Sequence, residues 1–175
     1  MATLKTDISI DLLTTLLNSS EGRSAPARQR IAQTFSLANG TGASGTADLV
    51  YYDERTITSS ASETLDFSGS LTDIFGTSLV MAKIKLIAVQ NQTLTDGVDM
   101  EFGPDPTNGF AGFWNAATDR DVVHAGRVAQ DYGITILYDP NGQTVGAGAS
   151  DELQFTNLST TTSVVYRILV VGTSA

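Results

Sequence analysis

The chain opens with alternating apolar and polar residues. Ile8 and Ile10 are flanked by polar positions, which is the period-2 pattern of a half-buried β-strand. The alternation breaks at residues 12–17, LLTTLL, where the pattern predicts a single helical turn. Residues 18–30 are rich in small and polar residues and contain a proline, which is typical of a linker. The pattern therefore predicts an N-terminal arm and linker over residues 1–30.

The rest of the pattern indicates short strands and no long helix. Residues 78–91 and 163–172 are apolar on both faces, as expected of strands that are covered on both sides. A turn signal at residues 139–142, DPNG, separates two further strands. About seven to nine strands with such turn signals predict an all-β domain over residues 31–175. We expect an antiparallel β-sandwich with a jelly-roll-like arrangement, with a barrel as the alternative.

Residues 40–45, GTGASG, match the dinucleotide-binding pattern G-x-G-x-x-G. That pattern binds a pyrophosphate only where a strand enters it and a helix leaves it, because the N–H groups of the helix hold the phosphates. Here residues 30–39 and 47–57 both read as strands. The motif therefore predicts a hairpin loop whose glycines supply positive φ angles, and we expect no cofactor.

Composition and charge narrow the range of partners. The 175 residues include no cysteine, which excludes disulfides and thiolate metal sites. The formal net charge of −9 argues against a nucleic-acid partner, since phosphate contacts need clustered lysine and arginine. No apolar run approaches the roughly 18 residues of a membrane span. We expect a soluble protein that is made in the cytoplasm and has protein partners, with no nucleic acid and no membrane among them.

Candidate catalytic groups are sparse. Asp53 and Glu54 are adjacent, so on a strand their side chains point to opposite faces and do not converge. Asp119, Asp121 and His124 are the one Asp/His grouping, and these three residues on a loop are too few and too unconstrained to define a metal site. The sequence therefore predicts no catalytic residues, no metal site and no enzymatic activity.

The basic residues of the linker are candidate partner contacts. Arg23, Arg28 and Arg30 supply three of the ten lysines and arginines. They are either solvated side chains of a tether or an electrostatic contact with an acidic partner.

Aromatic residues in the irregular segment of residues 94–130 form a second candidate contact. Phe110, Phe113 and Trp114 lie close together there. They could anchor a protein partner or stack on a sugar, and the alternative is that they close one end of the sandwich.

Four different short motifs follow one another along the chain. They are the loop NGTG at residues 39–42, the acidic strand motif D-x-R-T at 53–56, the turn LDFSGSLTDIFG at 65–76 and the strand motif Y-x-I-x-x-x-G-T at 166–173. In this order they resemble a group of small virion structural proteins of tailed bacteriophages.

The resemblance extends over residues 35–91 and 132–175, whereas residues 97–130 depart from it. It implies a capsid decoration or cement protein that binds the outside of the head, with the major capsid protein as partner. It also implies residence on the capsid surface of a virion after synthesis in the host cytoplasm. Because capsids have three-fold positions, we expect self-association as a homotrimer. A tail, neck or fibre protein is the first alternative, and a carbohydrate-binding module is the second.

Overall fold

The computed structural model describes residues 3–20, 23–126 and 132–175, and the side chains of all of these except residues 16–20 and 23–27. The described residues contain no helix, and so none that could cross a membrane. The strands are β1 Thr6–Ser20, β2 Arg23–Asn39, β3 Thr46–Ala47, β4 Leu49–Ile57, β5 Ser62–Asp66, β6 Leu71–Thr72, β7 Ser78–Leu79, β8 Lys83–Asn91, β9 Met100–Pro104, β10 Asp121–Val123, β11 Ile134–Thr144, β12 Glu152–Asn157 and β13 Val164–Thr173.

Eight of these strands form two four-stranded antiparallel sheets. Their orders are β11-β8-β13-β4 and β10-β9-β12-β5. Each pair of neighbours therefore comes from distant parts of the chain, except β9 with β10. This is the strand order of a jelly roll, in which the two sheets are wound together. The predicted all-β sandwich is confirmed, and the two separate sheets exclude the barrel alternative.

The inner faces of the two sheets enclose the main core. Phe155 of β12 stacks on Tyr166 of β13 with ring centroids 4.9 Å apart, and this contact joins one sheet to the other. Phe102 of β9 stacks on Phe155 at 5.6 Å. All three rings are fully buried, and aromatic rings contribute large apolar areas to a core. The alternation of inward apolar residues along β12 and β13 thus holds the two sheets face to face.

A β-bulge in β8 changes which residues face the core. Val171 pairs with Leu86 and Gly172 pairs with Ile84, so Lys85 is the extra residue. Ile84 belongs to the main core, whereas Leu86 belongs to a second apolar cluster on the outer face of the sheet. The bulge explains why Ile84 and Leu86, which are two positions apart, face opposite sides of the sheet.

The bulge also buries a lysine beneath the glycine loop. The Lys85 ammonium donates hydrogen bonds to the carbonyls of Ala43 and Pro140. Burial, followed by the nearby charge of Lys83, lowers the pKa of Lys85. The side chain therefore ties the glycine loop to the turn at residues 139–142.

The glycine loop at residues 40–45 lies between two strands, and β4 follows them, so the expected flanking strands are confirmed. Gly42 and Gly45 have φ angles of +72° and +73°, which glycine adopts at little cost. The expected hairpin is wrong, because β2 and β3 pair in parallel. The loop instead connects β2 to β3, and the chain then enters the sandwich through β4.

The N-terminal region is a long β-hairpin. β1 and β2 pair in antiparallel register from Thr6 with Leu37 to Ser20 with Arg23. The predicted helical turn at residues 12–17 is wrong, because these residues continue β1. The predicted linker is wrong over residues 18–20, which belong to β1, and over residues 23–30, which belong to β2. Fifteen residues of strand reach roughly 50 Å. The division of the chain into domains at residue 30 stays a prediction.

Candidate interaction surface

The N-terminal hairpin has one uncharged apolar face and one charged face. Cross-strand partners lie on the same face of an antiparallel pair, and they alternate along it. Ile8 opposes Phe35 and Leu12 opposes Ile31 on the first face. On the other face Arg30 donates two hydrogen bonds to the carboxylate of Asp11, each 2.9 Å long. The hairpin is thus amphipathic, although Leu13, which opposes Arg30, also exposes an apolar side chain on the charged face.

The base of the hairpin packs on the outer face of the sheet β11-β8-β13-β4. Leu37 and Ala47 are buried against Leu86 and Val171, and they form the second apolar cluster. The ring of Phe35 also contacts Tyr138, with centroids 4.7 Å apart. One half of the apolar face of the hairpin is therefore used in folding.

In the outer half of this face, Leu12 and Ile31 are exposed and Ile10 is half-buried. We call the three side chains Ile10, Leu12 and Ile31 the arm stripe. Leu12 is 59% exposed and Ile31 is 68% exposed. The uncharged face continues without interruption from the buried base to this stripe, since the pair Ile8 and Phe35 is followed on the same face by Ile10 and its partner Gln33. The arm stripe therefore presents exposed apolar surface at Leu12 and Ile31.

A second exposed apolar surface lies beside the base of the hairpin, on the same sheet face. A shallow recess of about 270 Å³ is lined by side chains of β4, β8, β11 and β13. We call it the sheet recess, and its principal residues are Tyr52, Ala88, Gln90, Ile134, Arg167 and Leu169. Tyr52 is 48% exposed and Ile134 is 57% exposed. The guanidinium of Arg167 donates to Glu54 at 2.7 Å and marks the polar rim.

The predicted arginine contacts lie in β2. Arg28 and Arg30 are exposed, and Arg30 is paired with Asp11 within the same hairpin. Arg23 opens β2, and its side chain lies outside the described residues. A contact of these arginines with an acidic partner stays a prediction.

The predicted aromatic contacts lie at one end of the core. Phe110 is fully buried, so it offers no surface to a partner. Phe113 and Trp114 are partly buried and pack against the main core. The indole N–H of Trp114 donates to Asp121 at 3.1 Å. Of the two alternatives, a packing role in the sandwich therefore applies to Phe110. A partner contact at Phe113 and Trp114 stays a prediction.

A charged cluster joins β4, β5 and β13 inside the sandwich. Arg55 donates to Glu63 at 2.7 Å and to Asp53 at 2.9 Å. Tyr166 donates to Glu63 at 3.0 Å, and Tyr51 donates to Asp53 at 3.0 Å. These five residues form the charged cluster. Glu54 instead lies on the outer face, as the alternation of the strand predicts. Each carboxylate of the cluster is occupied by a donor of the fold.

The neighbouring charges and burial change the ionisation of this cluster. The hydrogen bond that Arg55 donates to Glu63 raises the pKa of Arg55, so this guanidinium stays charged. Burial, followed by Asp53, raises the pKa of Tyr51 to about 12. Burial, followed by Glu63, raises the pKa of Tyr166 well above its usual value. Both hydroxyls are therefore protonated donors at neutral pH, and the cluster is structural.

The three residues of the Asp/His grouping do not converge. Asp119 accepts a backbone N–H of the preceding turn, and Asp121 accepts the indole N–H of Trp114. The Nδ1 atom of His124 lies 3.0 Å from the carboxylate of Asp99. In the described part of the chain, no group of three or more acidic or histidine side chains is placed to hold a metal ion.

Sequence reasoning missed both apolar surfaces. The composition of residues 18–30 is typical of a linker and gives no indication that Ile31 pairs with β1. The sequence shows apolar outer positions in β8 and β13, but a period-2 pattern does not show which of them a neighbour covers. A signal for the arm stripe was present, because Ile31 and Phe35 alternate with polar residues in the same way as Ile8 and Ile10 do.

Comparisons with known proteins assign no family. No family model matches the chain, and no curated protein matches it. Among solved structures, a mutant Washington University Polyomavirus VP1 pentamer, in unassembled form, aligns at 10% identity with a TM-score of 0.14. That alignment covers 95% of this chain and 94% of the other. It is too weak to establish a shared fold.

Proposed function

We propose that this protein is a virion structural protein of a tailed bacteriophage that binds the outside of the capsid as a decoration, or cement, protein. The observation that carries the proposal is the pair of exposed apolar surfaces, the arm stripe and the sheet recess, on a stable sandwich. Exposed apolar surface of this kind marks sites of protein association. An assembly role explains why the chain keeps both surfaces uncovered.

Two further observations support a structural role in a virion. The ordered motifs at residues 39–42, 53–56, 65–76 and 166–173 resemble small phage virion proteins. Jelly rolls are also common among viral capsid domains, although a fold by itself does not define a function. The proposal assigns the protein no enzymatic activity, no cofactor and no binding of nucleic acid or membrane.

The proposed partners are the major capsid protein and further copies of this chain. A homotrimer would match the three-fold positions of a capsid lattice and contact several shell subunits at once. Several modest contacts that are linked in this way raise the overall affinity without any new kind of interaction. The proposed location is the capsid surface, after synthesis in the host cytoplasm.

The test mixes the purified protein with undecorated heads and with separated tails, and locates the added density by cryo-electron microscopy. We expect density on the outer surface of the heads at three-fold positions. Density on tails alone would replace the decoration role by a tail, neck or fibre role. Binding to neither particle would remove the structural role proposed here.

A further inference from the structure

We infer that the arm stripe of one copy occupies the sheet recess of a second copy. This inference rests on the proposed function, in which copies of the chain associate, and it names the contact that joins them. It commits to a second copy of this chain as the occupant. Ile10, Leu12 and Ile31 would lie on Tyr52, Ile134 and Leu169.

The first argument is that the same sheet face already packs apolar side chains of the hairpin. The base of the hairpin places the apolar side chains Leu37 and Phe35 on this face, where they contact Val171 and Tyr138. The arm stripe is the continuation of that same uncharged strip along the hairpin. A sheet face that packs one half of the strip is therefore suited to the other half.

The second argument is continuity with that established contact. Leu169 packs against the cluster at the base of the hairpin, and it also lines the sheet recess. The recess is thus the uncovered remainder of an apolar face whose first part is filled by the chain's own hairpin. A hairpin from a second copy would extend this packing without burying a new type of surface.

The third argument is charge. In β1 and β2, between Ile8 and Thr14 and between Gln29 and Phe35, every side chain on the stripe face is uncharged. The recess is lined mainly by apolar side chains, and its charged side chain Arg167 is paired with Glu54. Apolar contact there would leave no charge unpaired, whereas a face that carries Asp11 and Arg30 would compete with this ion pair.

The contact joins two different surfaces, the arm stripe of one copy and the sheet recess of another. One such contact therefore leaves the recess of the first copy and the arm stripe of the second copy free. A chain of such contacts closes into a ring or continues as a filament. Closure after three copies gives the proposed homotrimer. Each copy then donates one arm and accepts one arm.

The experiment is disulfide trapping in the full chain, which has no cysteine of its own and so no background. Leu12→Cys and Ile134→Cys are made in separate chains, one of which carries a mass tag, and the two are mixed before oxidation. We expect a disulfide-linked heterodimer, since disulfides form only between residues whose Cα atoms are close. Ile31→Cys is the alternative arm variant if Leu12→Cys does not fold.

Matched controls test the face and the site. Thr34→Cys lies on the opposite face of the arm, and Val122→Cys is exposed on the other sheet. Mixing Thr34→Cys with Ile134→Cys, or Leu12→Cys with Val122→Cys, should yield no heterodimer above the level of random collision. Circular dichroism of each variant verifies that it is folded.

Two results would overturn the inference. One is equal trapping in the control mixtures, and the other is the absence of the Leu12–Ile134 heterodimer from folded chains. Neither result bears on the proposed function, because the trapping uses free protein without heads. Failure to bind heads in the cryo-electron microscopy test would conversely remove the capsid role and leave this contact between copies intact.

Discussion

Two glutamates of the sandwich show how burial affects the contribution of an ion pair to the free energy of unfolding. Glu63 is held between Arg55 and Tyr166 with its side chain 22% exposed, whereas Glu54 pairs with Arg167 in the open with its side chain 50% exposed. In both pairs the arginine Nε atom donates to the glutamate at 2.7 Å. Arg55 and Glu63 join β4 to β5 of the other sheet, whereas Glu54 and Arg167 lie on the neighbouring strands β4 and β13. Solvent weakens the exposed pair, while the enclosed one also satisfies a buried hydroxyl.

The first prediction compares these two pairs. Glu63→Ala should lower the free energy of unfolding by ~2 kcal/mol, because it leaves a partly buried guanidinium and a buried hydroxyl without their acceptor. Glu54→Ala is the control and should leave stability close to that of the wild type. Urea denaturation of both variants measures the difference. Equal losses in the two variants would contradict the structural role of the charged cluster.

The second prediction concerns alkaline pH. The pKa of Tyr51 is about 12 in the folded protein against 10.0 for a free tyrosine, and that of Tyr166 is also raised. The folded state therefore holds these protons more tightly, so their contribution to stability is complete below about pH 10 and is lost as pH rises through about 12. Denaturation curves across this interval should show a fall in the free energy of unfolding.

The matched control for the fall in the free energy of unfolding at alkaline pH is Tyr52, which lies on the same strand as Tyr51. Tyr51→Phe should make the fall shallower, since one of the two titrating hydroxyls is removed. Tyr52→Phe changes a half-exposed ring on the other face of β4 and should leave the fall unchanged. A fall that is as steep in Tyr51→Phe as in the wild type would contradict the assignment.

At the scale of elements, the bulge in β8 requires a close approach of β13. A Cβ atom at Gly172 would lie 2.3 Å from the carbonyl oxygen of Lys83, which is closer than real contacts allow. Any larger residue there must push the two central strands of the sheet apart. The glycine is therefore required by the register shift next to it.

The third prediction follows from this contact. Gly172→Ala should destabilise the protein by ~2–3 kcal/mol through overpacking against backbone. Gly69→Ala is the control, because a Cβ atom there meets nothing within 4 Å and its φ is not in the left-handed region. Thermal unfolding of both variants measures the effect. A Gly172→Ala protein as stable as the Gly69→Ala protein would show that β8 can move away without cost.

The two halves of the hairpin differ in burial. Its base covers Leu86 and Val171, whereas Leu12, Leu13 and Ile31 in its outer half are exposed. Ser9 and Thr34 are cross-strand partners at the junction of the two halves. The hairpin can therefore be shortened there without uncovering the sheet.

The fourth prediction uses that junction. Replacing residues 10–33 by the turn Asn-Gly, which joins Ser9 to Thr34, should change the free energy of unfolding by less than ~1 kcal/mol, because the removed residues add no core. Self-association should be lost with the arm stripe. Light scattering and urea denaturation on the same sample measure the two effects. A shortened chain that still forms oligomers would place the contact elsewhere.

On the scale of the whole molecule, charge and apolar surface are expected to serve different contacts. The net charge of −9 is spread over an acidic surface that repels other acidic surfaces, including its own copies. Association between copies therefore needs uncharged areas, such as the arm stripe and the sheet recess. Binding to a capsid would need a basic or neutral shell surface.

The fifth prediction separates these contacts by ionic strength. Between physiological salt and about 1 M salt the screening length falls from about 8 Å to 3 Å. Binding to heads should weaken over this range, while the mass of the free oligomer should stay constant or rise. Co-sedimentation with heads and light scattering of free protein measure the two. An oligomer that dissociates as salt rises would indicate an ionic contact between copies.

The all-β class, the absence of disulfides and the strands on both sides of residues 40–45 were predictable from the amino-acid sequence alone. These follow from local features: alternation along a strand, residue counts, and the strand that follows residues 40–45. Opposite orientations of Asp53 and Glu54 were predictable for the same reason. Each of these conclusions needs only the geometry of a few neighbouring residues.

Three features required the three-dimensional fold: residues 23–30 are strand, Lys85 is a buried bulge residue, and Phe110 belongs to the core. Each depends on partners far along the chain: β1 for β2, the 139–142 turn for Lys85, and the opposite sheet for Phe110. Composition around residue 26 resembles a linker, and cross-strand hydrogen bonds outweigh that local preference. Exposure of the arm stripe and the sheet recess likewise depends on which apolar faces the fold covers, which no local pattern contains.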